Sequence, residues 1–99
     1  MQLTGTGEHE LTIQGNIKTV DDYMEIREAA TSLLASGART LHFRIEDSFS
    51  MPSAVIGFLV KLVNRDKIQV SMDIRDQRLF ELLQELSLTG LFKARYIPG

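Results

Sequence analysis

The sequence predicts one α/β domain, a mainly parallel sheet of four to five strands with helices mainly on one face. Three observations carry that expectation. Segments whose apolar residues recur at every second position alternate with segments of helical spacing, and such alternation implies parallel strands joined by right-handed crossovers. Each strand segment is polar on alternate residues, whereas a sheet covered on both faces reads as continuous Val, Ile and Leu. The chain has 99 residues, room for one hydrophobic core and no second, so residues 1–99 are read as one domain.

The first strand is read over Leu11 to Ile17, where Leu11, Ile13 and Ile17 fall on one side and Thr12, Gln14 and Asn16 on the other. Thr19-Val20-Asp21-Asp22 then fits a capping box, with acids favourable in the first turn. Val20, Tyr23, Met24, Arg27, Ala30, Leu33 and Leu34 keep helical spacing, and Gly37 supplies a left-handed residue to end the helix near Ser36. Leu41, Phe43 and Ile45 alternate with His42, Arg44 and Glu46 as a second strand, before a polar loop from Asp47 to Ser50.

Proline disfavours helical backbone in the residue before it, so the second helix starts at or just after Pro52. Ile68, Val70, Met72 and Ile74 alternate with Gln69, Ser71 and Asp73 as a third strand. Asp76 then caps a helix carrying Leu79, Phe80, Leu82, Leu83 and Leu86, with Gly90 following its end. Phe92 to Ile97 reads equally as a short strand or a last helical turn. The glycines of Thr4-Gly5-Thr6-Gly7 precede the first strand instead of following one, so no phosphate-binding turn is expected.

Composition narrows the function classes. A hydrophobic fraction of 43% with 24% charged residues is ordinary for a folded domain. The net charge is -2 and the eleven basic residues are scattered among acids, which leaves no basic stripe for a phosphate backbone; nucleic acid is not an expected partner. The absence of cysteine excludes disulfides, thiolate catalysis and cysteine-ligated metal, and agrees with a reducing compartment, so a cytoplasmic location is expected. Met1 to Glu10 lacks the basic and apolar regions of a secretory signal. The longest apolar stretch, Ala54 to Val60 resuming at Leu62 and Val63, falls short of the roughly 20 residues of a bilayer span, so no direct membrane insertion is expected.

An enzyme needs a nucleophile with a base, paired carboxylates, or metal ligands at workable spacing. His9 and His42 are single and far apart in sequence, and His42 lies on the polar side of its strand, where solvation is the expected role. Glu46-Asp47, Asp21-Asp22 and Glu81/Glu85 read as solvated faces, loop residues and caps. The expectation is a domain that is not an enzyme and carries no cofactor and no metal.

Two stretches resemble the STAS domain family, shared by anti-sigma-factor antagonists and the cytoplasmic ends of sulphate transporters. Leu41-His42-Phe43-Arg44-Ile45, a loop, and Met51-Pro52-Ser53-Ala54-Val55-Ile56-Gly57-Phe58-Leu59 look like that family's strand, loop and Asp-Ser-Ser/Thr-Gly-Leu-Gly helix start. Leu79-Phe80 with Leu86-Ser87-Leu88-Thr89-Gly90-Leu91-Phe92 is similar to its late helix and small-residue-Gly-Leu-Phe ending. Ser53 matches the serine that antagonist members carry as phosphoacceptor, and Gly57 matches the second glycine. Pro52 stands where the family has Asp, and Val55 where it has its first Gly.

The resemblance implies a protein-binding regulatory domain whose partner is an anti-sigma-type serine kinase or a related switch protein. The alternative it implies is a non-phosphorylated subunit of a membrane transport complex; a homodimer is left open. Ser53 reads as phosphoacceptor or as a plain helix cap, the latter a common role for serine. The second helix is apolar nearly all round, with Lys61 its only charge, and such a helix is either deeply buried or an interface. Met51, Pro52, Ser53, Ala54 and Phe58 are therefore the expected partner-binding residues, with core packing the competing role for Phe58.

Overall fold

The computed structural model describes residues 1–98. Elements follow in the order β1 (Gln2–Gly5), β2 (Glu10–Gln14), α1 (Val20–Ala35), β3 (Thr40–Ile45), α2 (Ser53–Asn64), β4 (Gln69–Ile74), α3 (Gln77–Glu85) and β5 (Ala94–Tyr96). One five-stranded sheet runs β1-β2-β3-β4-β5; β1 is antiparallel to β2 and the remaining neighbours are parallel. The protein is thus an α/β single domain with a mostly parallel sheet and three helices.

Strand alternation sets the layers. Leu11 and Ile13, Leu41, Phe43 and Ile45, and Val70, Met72 and Ile74 all point to one face, where they join Ile26 and Ala30 of α1, Val55, Leu59 and Leu62 of α2, and Leu79 and Leu83 of α3. The opposite face stays polar, and the helices cover only the apolar one.

Local chemistry fixes the boundaries. Thr19 Oγ1 accepts from Asp22 N at 3.0 Å while Asp22 Oδ2 accepts from Thr19 N at 3.1 Å, so the expected capping box starts α1. Gly37, with φ of 101°, adopts the left-handed conformation that ends it. Asp76 caps α3 by accepting from Arg78 N at 2.8 Å.

The strand expected over Leu11 to Ile17 is shorter, and three further details come from the structure. β1 has only one apolar residue in Gln-Leu-Thr-Gly, Leu3, and shows no period to read; its pairing with β2 creates it. β2 ends at Gln14, because Gly15 turns the chain at φ of 82°, and Ile17 reaches the core from the following loop. Ser87, at φ of 58°, takes the left-handed position after α3, and Gly90 follows three residues later. The segment left open resolves into a buried Phe92 in a turn, followed by β5. Among the described residues no helix is long and apolar enough to cross a membrane.

Candidate functional site

Parallel strands β2, β3 and β4 release their following loops at one end of the sheet, the end where open α/β sheets place binding sites. The β2–α1 and β3–α2 loops lie side by side there and are laced by three hydrogen bonds. Asp47 Oδ1 accepts from Gly15 N, Ser48 Oγ accepts from Ile17 N at 3.1 Å, and Asn16 Oδ1 accepts from Phe49 N at 3.2 Å. Ser48 is fully buried and also donates to Ser50 O at 2.7 Å. The β3–α2 loop is held from inside, and it presents Phe49, 42% exposed, outward.

The β4–α3 turn completes the rim. Arg78 donates from Nε and Nη2 to Asp76 at 3.1 and 2.7 Å, and its guanidinium carbon lies 4.9 Å from the centre of the Phe49 ring. The Arg78 hydrogen bond holds the Asp76 carboxyl below its ordinary pKa, and the same pair raises that of Arg78.

Helix α2 rises from this rim. Its N-cap is Pro52, which offers no side-chain acceptor, so Ser53 is the first helical residue and not a cap. Val55 N and Ile56 N donate to Pro52 O at 3.0 and 3.1 Å; among the described residues the Ser53 and Ala54 N–H groups have no protein acceptor. Ser53, Ala54, Gly57 and Lys61 are exposed and form one outward stripe. A Cβ built on Gly57 meets nothing within 4 Å.

The expected partner-binding residues divide. Ser53 and Ala54 are exposed and Pro52 is half-buried at the helix start. Met51, only 6% exposed, belongs to the core beneath them and gives a partner no free surface. Phe58 is half-buried against the core and meets Tyr23 edge-on, ring centres 6.5 Å apart. Val55 is 1% exposed, so its side chain fills the core.

Phe49, Asn16, Asp47 and Ser48 were beyond sequence reasoning. The run Asp47 to Ser50 has no period, and its partners lie more than thirty residues away in the chain. The polar sheet face contrasts with the rim. Arg44 pairs with Glu10 and Glu46, Arg75 with Glu46 and Arg95 with Asp73, which matches three acids to three bases. Charges so matched and hydrated describe a solvent-facing surface. Among the described residues no three His, Asp or Glu side chains are grouped to hold a metal ion.

No family model matches this chain, and neither a curated protein nor a solved structure matches it.

Proposed function

We propose that this chain is a cytoplasmic, non-enzymatic regulatory domain of the STAS kind. It binds a protein partner through the rim and the exposed start of α2, with Ser53 as its control point and an anti-sigma-type serine kinase or related switch protein as the partner. The observation that carries this reading is the outward stripe of Ser53, Ala54 and Gly57 beside Phe49. Glycine inside an exposed helix costs about 1 kcal/mol relative to alanine, and nothing in the domain occupies the space a Cβ would take. A partner surface approaching α2 closely gives that glycine a purpose.

The uncapped helix start supports the control role. A phosphate on Ser53 meets free N–H groups and the positive end of the helix dipole, so the fold tolerates it. Its charge of roughly -1.5 to -2 opposes an apolar or acidic partner surface, which allows release without unfolding.

Intact mass after incubation with host lysate and Mg-ATP, run beside Ser53→Ala, tests the switch. One phosphate on wild type and none on the variant supports it. Phosphate on neither, in a lysate shown to phosphorylate other proteins, moves the reading to a constitutive subunit of a transport complex.

A further inference from the structure

On the polar sheet face, away from the rim, parallel register sets His42 of β3 directly beside Ser71 of β4 and diagonal to Asp73. His42 Nδ1 lies 2.7 Å from Ser71 Oγ, and Nε2 lies 3.1 Å from Asp73 Oδ2. The carboxylate only accepts, so Nε2 carries the proton and Nδ1 is free to accept the Ser71 hydroxyl hydrogen. Asp73 is held in turn by Arg95, whose Nε and Nη2 donate to Oδ1 at 3.2 and 2.9 Å. Burial pushes the Asp73 pKa up, but the hydrogen bonds from Arg95 and His42 outweigh it and keep the group ionised.

This is a nucleophile with a base, and a base with an orienting carboxylate, the arrangement that activates serine. We infer that Ser71 is a nucleophilic acylation site that takes an acyl group from small activated esters. Its Oγ attacks the ester carbonyl carbon and forms a C–O bond. The hydroxyl proton passes to His42 Nδ1, the ester's C–O bond breaks, and the leaving alkoxide or phenoxide departs with the bonding pair. Asp73 is a positioning residue that fixes the ring and its tautomer.

The site lacks the usual route to turnover. β4 is paired on both sides, with Gln69 N bonded to Arg39 O and Met72 N to Lys93 O, so the amides around Ser71 serve the ladders and not an oxyanion. Loss of one oxyanion donor costs about 10²–10³ in rate. Acylation and hydrolysis both lose that help, so only an ester with a good leaving group acylates Ser71, and the product, an unactivated alkyl ester, persists as a modification in place of a catalytic cycle. Ser71 and His42 are half-buried on this face, with no helix packed over them.

The test is incubation of the intact chain with p-nitrophenyl acetate, followed by intact mass and peptide mapping. One acetyl group on Ser71 is expected, with the exposed Ser53, which has no base beside it, unlabelled as an internal reference. His42→Gln should slow labelling of Ser71 at least about 10-fold, since a positioned general base contributes 10²–10⁴, and Ser71→Ala should remove the adduct. Ser71 labelled no faster than Ser53 in folded wild type overturns the inference without reference to any variant. An unchanged rate in folded His42→Gln overturns it equally.

Discussion

Replacing Ser48 with alanine tests how the rim is held. The side chain is fully buried, accepts from Ile17 N at 3.1 Å and donates to Ser50 O at 2.7 Å. Alanine keeps the volume nearly unchanged but removes both bonds, leaving a donor and an acceptor that lost their partner. An orphaned buried group costs about 1–3 kcal/mol. Ile17 N–H lies deep and takes the full penalty, whereas Ser50 is half-buried and its carbonyl can turn toward water, so the sum is about 2–3 kcal/mol. For a domain of this size 1 kcal/mol moves the melting temperature by roughly 4–8 °C, so melting falls by about 10–20 °C.

Urea unfolding at neutral pH, with thermal melting beside it, reads that loss directly. Ser53→Ala is the matched control, since the residue is exposed and makes no capping bond; it should stay within about 0.5 kcal/mol of wild type. Amide NMR spectra should place the largest shifts at Ile17 and Phe49, on either side of the lost bridge. A Ser48→Ala loss no larger than that of Ser53→Ala refutes the claim that the two loops are locked from inside.

Gly57→Ala should stabilise the free domain by about 1 kcal/mol in urea unfolding, because α2 gains helix propensity and the added methyl meets no atom, while partner binding weakens. Phe58→Ala should cost about 2 kcal/mol, less than the 3–5 of a fully buried Phe→Ala, because the ring is half-buried against the core and Tyr23; unchanged stability would make it a surface residue only. Acid unfolding should follow the lowered carboxyls. Asp22 is held down by hydrogen bonds from Lys18 N and Thr19 N, Asp76 by Arg78, and Asp73 by Arg95 and His42 against its burial. Groups with depressed folded values give stability that is fully present above the ordinary value of 3.8 and lost as pH falls through the folded values. The share of stability these carboxyls supply should thus hold above about pH 5 and fall below about 4, more shallowly in Asp22→Asn, which equilibrium unfolding across that range checks.

Much of the fold was legible because local chemistry and global fold agree. Alternation in Leu41 to Glu46 and in Ile68 to Ile74 set both the strand and its buried face, and Thr19 with Asp22 marked a helix start by residue type alone. β1 was illegible because four residues with one apolar side chain become a strand only through β2. The left-handed residue after α3 was illegible because Ser87 accepts a backbone conformation that its residue type does not advertise. The exposure of Ser53 and Ala54 follows from Pro52 and helical spacing, whereas the inward turn of Met51 depends on tertiary packing that spacing does not show. Phe49 depends on long-range bonds to Asn16, Asp47 and Ser48, and the His42–Ser71–Asp73 set depends on strand register. Neither leaves a spacing to find in one dimension.

The most direct test of the central claim is site-specific photocrosslinking in the protein's own host, with a photoreactive residue at Gly57 on α2 or at Arg44 on the polar sheet face. A discrete adduct is expected from position 57, identified by mass spectrometry as one regulatory protein and lost on adding Ala54→Arg, with no adduct from position 44. An adduct from position 44 with none from position 57 would contradict that claim, since the partner would then dock on the charge-paired face and not at the start of α2.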